Sequence, residues 1–233
     1  MKALVSIRDV GQETVVTIPT FYPSGAVAAI TVAEARQGFR VSDSGLAYHE
    51  ADLVGADHLF GRSANAVAEQ FGLDCINRSI SIEVSADQLA GAIADVGAAS
   101  VQIAHRIVER VASRNEAEIE AQLYLRLVHL FGAPKVAKDA EIAGASSHRW
   151  KVSALVTVDG RRLAFEAVSN HHSSVYSTAT MFHDLSLLQQ RPVGVAVVRD
   201  KRAMGDYLGI LSQAANVIQD NVPDDAIAGL VAA

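Results

Sequence analysis

The chain has 233 residues, half of them hydrophobic and a fifth charged, with a net charge of −6. That composition is globular and can bury a sizeable core in one large or two small domains, at roughly 100–200 residues per domain. The charge is too mild for a basic nucleic-acid module or an acidic mimic of one, and a single cysteine, Cys75, excludes an internal disulfide framework.

A lone thiol suits a reducing cytosol, and in "LDCIN" Cys75 reads as a small buried hydrophobe. The opening "MKALVSIRDVGQE" turns polar too early for a signal peptide. No apolar run approaches the roughly 20 residues that span a bilayer. A soluble, cytoplasmic protein without membrane association is expected.

In chain order, "ETVVTIPTF" (13–21) alternates and is β-branched, which predicts a strand. "YPSG" is a turn, "AVAAITVAEA" a second strand, and "GFRVSDSG" (38–45) a third that runs into a tight turn. Asp43 is there either a turn-former or a ligand-binding acid. "LAYHEADLVGA" and "RSANAVAEQFGL" then have helical spacing, and "SISIEV" (79–84) is a short strand. Ser85 is placed to cap a long helix from about Ala86 to Ser113, loosened at Gly97. Strand, turn, strand, "RVSDSG", two short helices, a strand and a long helix resemble an uncharacterised domain family of bacteria and phages, over roughly Thr14 to Arg114. That resemblance implies no activity.

"NEAEIEAQLYLRLVHLFG" predicts a second helix, capped by Asn115 and stopped by Gly132 and Pro134, with His129 on its flank. A boundary near Asn115, between two helices, divides the chain into domains 1–114 and 115–233. Their charges are nine basic against thirteen acidic residues and eleven against thirteen, so neither is a basic module. "HRWKVSALVTV" (148–158), the Asp-Gly turn of "DGRR" and "LAFEAVS" (163–169) form a hairpin. A helix from about Ser174 to Gln189, the apolar strand "VGVAVV" (193–198) and a helix over "RAMGDYLGILSQAANVI" complete the chain. The fold class is therefore α/β of the α+β kind: an N-terminal β-meander with helices, then a mixed sheet flanked by helices.

The order of the second half resembles the core of restriction-endonuclease-like nucleases, the PD-(D/E)xK superfamily. The resemblance implies an aspartate on the first hairpin strand, and an acid and a lysine two apart on the second. Those carboxylates would hold a divalent metal that activates water. Carried over, the acid falls on Glu166, the lysine position on Val168 and the aspartate position near Ser153. One functional group of three remains, which favours binding over cleavage.

The loop "SNHHSS" allows three readings. Glu166, His171 and His183 could hold a divalent or transition-metal ion. The loop could be a plain strand-to-helix connection with Ser173 or Ser174 as N-cap. Or the helix N-terminus could receive an anion. Candidate binding residues are Asp43, Arg149, Lys151, Arg161, Arg162 and His172. No cofactor other than such an ion is expected. Three functions are consistent with these features. The first is a non-catalytic binding protein with a protein or nucleic-acid partner, in a mobile-element or defence setting implied by the resemblance alone. The second is a divergent metal-dependent nuclease using Glu166 with Asp43 or His171. The third is a structural homo-oligomer packed through the small residues Gly91 to Ser100.

Overall fold

The structure, a computed structural model, describes residues 5–232; positions 1–4, read above for a targeting signal, lie outside them. It is α+β, with two sheets and six helices among the described residues. Two compact units divide at Val111/Ala112.

The first unit carries an antiparallel sheet of β1 (Ser6–Val10), β2 (Glu13–Phe21), β3 (Val27–Ala35), β4 (Gly38–Ser42), β5 (Asp74–Ile76) and β6 (Ser79–Val84). Its spatial order is β1-β2-β3-β4-β6-β5. Alternation works as elementary strand geometry requires: Ala28, Ile30 and Val32 of β3 point into the core, and their neighbours do not. Helices α1 (Leu46–Leu53), α2 (Phe60–Phe71) and the first part of α3 (Leu89–Phe131) cover that face with Ala47, Ala51, Val67, Val96, Ile103 and Ile107.

Two expectations change here. The chain does not break at Asn115: α3 runs unbroken for 43 residues, with Asn115 inside it. No glycine or proline lies between Gly97 and Phe131 to stop it, and Arg114 pairs with Glu118 one turn on, at 3.1 Å. Gly97 does not loosen the helix but seats it. A Cβ there would stand 2.2 Å from Ile18 Cδ1 of β2. Of the small residues between Gly91 and Ser100, Ala92, Gly97, Ala99 and Ser100 are buried within this unit, while Gly91, Ala94 and Ala98 are exposed.

The second unit carries β7 (Val136–Ala143), β8 (Arg149–Val158), β9 (Arg161–Val168), β10 (Val193–Val198) and β11 (Asn216–Gln219), in the order β11-β10-β9-β8-β7. β7, β8 and β9 pair antiparallel. β10 lies parallel to β9, and β11 parallel to β10. The parallel step from β9 to β10 is made by α4 (His172–Ser186). The β8–β9 turn is built on Asp159 (φ 49°) and Gly160 (φ 80°), the paired positive angles that an Asp-Gly hairpin supplies.

β9 is covered on both faces. Leu163, Phe165 and Ala167 pack with Ile119, Leu123 and Leu127 of α3. Ala164 and Val168 pack with Val175, Met181, Phe182 and Leu185 of α4. The predicted last helix is shorter than expected. α5 (Tyr207–Ala214) ends before Asn216, where "NVIQ" joins the sheet as β11, and α6 (Asp224–Ala232) follows. Arg126 of α3 ties that segment down, donating to Asp224 (2.5 Å) and to the carbonyls of Asp220 (2.8 Å) and Val222. No helix among the described residues is long and apolar enough to cross a membrane.

Candidate functional site

In a regular strand, residues two apart share a face. β8 breaks that rule. Ala154 and Val156 lie in the core beneath α3, yet Val152, two residues before Ala154, lies in the core beneath α4. β7 does the same: Val136 belongs to the first core and Ile142 to the second. Both strands exchange faces at one place. The β7–β8 ladder pairs Lys138 with Ala154 and resumes at Ala140 with Val152, so Asp139 and Ser153 face each other across the gap. Asp139 has φ 51°, a left-handed backbone that reverses which way the next side chain points. The β8–β9 ladder also ends here, at Ala154 with Phe165.

Glu166, the next residue of β9, fills the break. Its Oε2 accepts hydrogen bonds from the Ser153 backbone N–H (2.7 Å) and hydroxyl (2.9 Å), and Ser153 Oγ accepts from the Ala167 N–H (3.1 Å). A side-chain carboxylate thereby replaces a main-chain acceptor. Burial pushes the Glu166 carboxyl up to about 7; the two Ser153 donors pull it down, and Glu120 and Glu116 of α3 raise it further. Glu116 accepts from the Ser169 hydroxyl (2.6 Å) and N–H (3.2 Å) just past β9. Lys151 closes the group with a 2.8 Å ion pair to Asp139. That bond holds Lys151 above the usual ammonium range, aided by Glu120 and Glu166, and holds Asp139 below the usual carboxylate range.

The position where a nuclease would carry its lysine is Val168, 1% exposed in the α4 core. Glu166, His171 and His183 do not form a ligand set. Among the described residues no group of three or more His, Cys, Asp or Glu could hold a metal ion. His183 points to solvent from α4, and its carbonyl accepts from Ser186. His171, 8% exposed, shares a 2.7 Å hydrogen bond between its Nδ1 and Ser173 Oγ, and its ring lies 4.3 Å from the exposed His172 ring. The N-cap is His171 rather than Ser173 or Ser174, and the Ser174 hydroxyl instead accepts from the Ser169 N–H.

Asp43 lies elsewhere, on the turn that leads into α1. It is fully buried in the first unit and accepts five hydrogen bonds. Oδ1 takes Gly45 N–H, Ser79 Oγ and Ile80 N–H, and Oδ2 takes Ala47 N–H and Ser100 Oγ, all at 2.8–3.2 Å. Ser100 in turn meets the Tyr22 hydroxyl at 2.6 Å, and burial raises the Tyr22 pKa. With Ser44 and Gly45 at positive φ, "SDSG" turns the chain into α1 while Asp43 satisfies the open N–H groups at its start.

The basic set around the hairpin is largely neutralised. Arg149 pairs with Glu141 at 2.9 Å, Lys138 with Glu120 at 3.7 Å, and Lys151 with Asp139. Arg161 donates to the Val231 carbonyl at 2.6 Å; Arg162 is half-buried beside Glu141 and Leu188.

Sequence reasoning placed Glu166 and missed Glu116, Glu120, Asp139 and Ser153 as its surroundings. One signal was available: "KVSALV" places Ser153 directly opposite Glu166 once the Asp-Gly turn sets the hairpin register. No family model, no curated protein and no solved structure matches this chain.

Proposed function

We propose that the chain is a non-catalytic binding protein whose partner is another protein. The observation that carries this reading is the employment of Glu166. Its Oε2 is committed to Ser153, its strand neighbour two places on is a core valine, and Lys151 is committed to Asp139. An acid so used mends a sheet, whereas hydrolysis with a divalent ion needs open carboxylates converging on one point. A protein partner is favoured over nucleic acid because Arg149, Lys151 and Lys138 already face carboxylates, and the chain carries net −6. The bacterial or phage mobile-element setting follows from the resemblance of the N-terminal half alone.

The test has two arms. Purified protein is incubated with single- and double-stranded DNA and RNA in magnesium or manganese, and its affinity for the same oligonucleotides is measured by fluorescence anisotropy. The expected result is no cleavage and only weak, salt-sensitive nucleic-acid binding, with a stoichiometric protein partner recovered by affinity capture. Metal-dependent cleavage that disappears in Glu166→Gln would overturn the reading in favour of a nuclease, and tight oligonucleotide binding would overturn the choice of partner.

A further inference from the structure

We propose that the Glu166–Ser153 contact is a proton-operated clasp: with Glu166 neutral it holds β8 against the end of β9, and with Glu166 charged it loosens there. The inference is independent of what the chain binds. It rests first on geometry. Both ladders of β8 are interrupted at Ser153: the segment Arg149–Val152 keeps its pairing to β7, while the β8–β9 register runs only from Ala154 to Val158. What joins β8 to β9 at that point is Glu166 Oε2 with two Ser153 donors, and Ser153 Oγ with the Ala167 N–H. A junction made by one side chain opens when that side chain leaves; a ladder does not.

The groups around Glu166 set the direction. Glu116 and Glu120 on α3 oppose a charge on Glu166, and Lys151 on β8, which would favour one, is held by Asp139 of β7. β10 offers Ala196 at the register position beside Glu166, with no charge. Ionised Glu166 therefore gains from two hydrogen bonds but loses hydration and meets two acids. Turning the carboxylate toward solvent relieves both, and leaves the Ser153 N–H without its acceptor. Burial and those acids place the transition near neutrality rather than in the ordinary glutamate range.

The experiment is amide hydrogen exchange by NMR on the full chain at about pH 5.5 and about pH 8.5, expressed as protection factors so that the intrinsic pH dependence of exchange is removed. Protection at Ser153 and Ala167 is expected to fall about ten- to hundredfold across that range, as one to two pKa units of differential stabilisation require. Amides in the first unit serve as the reference. Histidines titrate in the same window, so Glu166→Gln, a permanently neutral clasp, is the discriminating variant: its protection at these two amides should stay level. Glu120→Gln is the second, gentler variant: it removes a like charge that opposes ionisation of Glu166, so the midpoint of the fall in protection is expected to move to lower pH. Level protection in the unaltered chain, or an equal fall in Glu166→Gln, would overturn the proposal.

Discussion

A carboxyl whose pKa is higher folded than unfolded stabilises the fold while it is protonated. For Glu166, raised from 4.5 to about 7, the contribution is complete below about pH 4.5 and is lost as pH rises through about 7. The loss amounts to about 2 kcal/mol once partial exposure is allowed for, at about 1.4 kcal/mol per unit. Glu166→Gln is therefore expected to leave stability nearly unchanged near pH 5 and to exceed the unaltered chain near pH 8, read from urea unfolding midpoints at both pH values. At this scale the sequence was half legible. Val168 was visibly not a lysine. The hairpin register put Ser153 opposite Glu166 but did not reveal the hydrogen bonds between them, because those form only where the ladder fails.

Elements carry the reason that failure was hidden. Periodicity assigns one face to Trp150, Val152, Ala154 and Val156, but the strand places the first two in one core and the last two in the other. Nothing in "WKVSALV" announces the exchange, which falls opposite the left-handed backbone of Asp139 on the neighbouring strand. Asp139→Gly is expected to be nearly neutral, since relief of the left-handed backbone offsets loss of an exposed ion pair. Asp139→Val should cost about 1–3 kcal/mol, because a β-branched residue resists that φ. Thermal melts of the two variants check the order. In α3, Gly97→Val should cost about 1–3 kcal/mol by driving a side chain into Ile18. The unbroken length of α3 was not legible either: asparagine and acids at 115–120 read as a helix start, and the same letters also serve an exposed helix interior.

On the scale of the whole molecule, separate apolar clusters fill the two units. Cooperative unfolding follows contiguous burial, so two transitions are expected by calorimetry. Asp43→Asn removes a charge-assisted acceptor at the centre of five donors and should lower one transition by about 3–5 kcal/mol. Phe165→Ala, at a fully buried position, should lower the other by a similar amount. A single transition moved equally by both substitutions would mean that the units unfold as one. The strands of the first meander, the Asp-Gly hairpin and β10 were all readable beforehand, because turn chemistry and alternation are local. β1, β5, β7 and β11 were not: each gains its identity from the strand beside it.

Asp43 has a consequence in time as well as in energy. Its donors come from Gly45 and Ala47 close by, from Ser79 and Ile80, and from Ser100, 57 residues along the chain. Contacts of such separation require large loops to close before they form. The buried carboxylate is then among the last features completed as the first unit folds and among the first to resist its escape. Asp43→Asn should leave the refolding rate of that unit nearly unaltered and accelerate its unfolding, so that the substitution shortens the lifetime of the native state more than it delays its arrival.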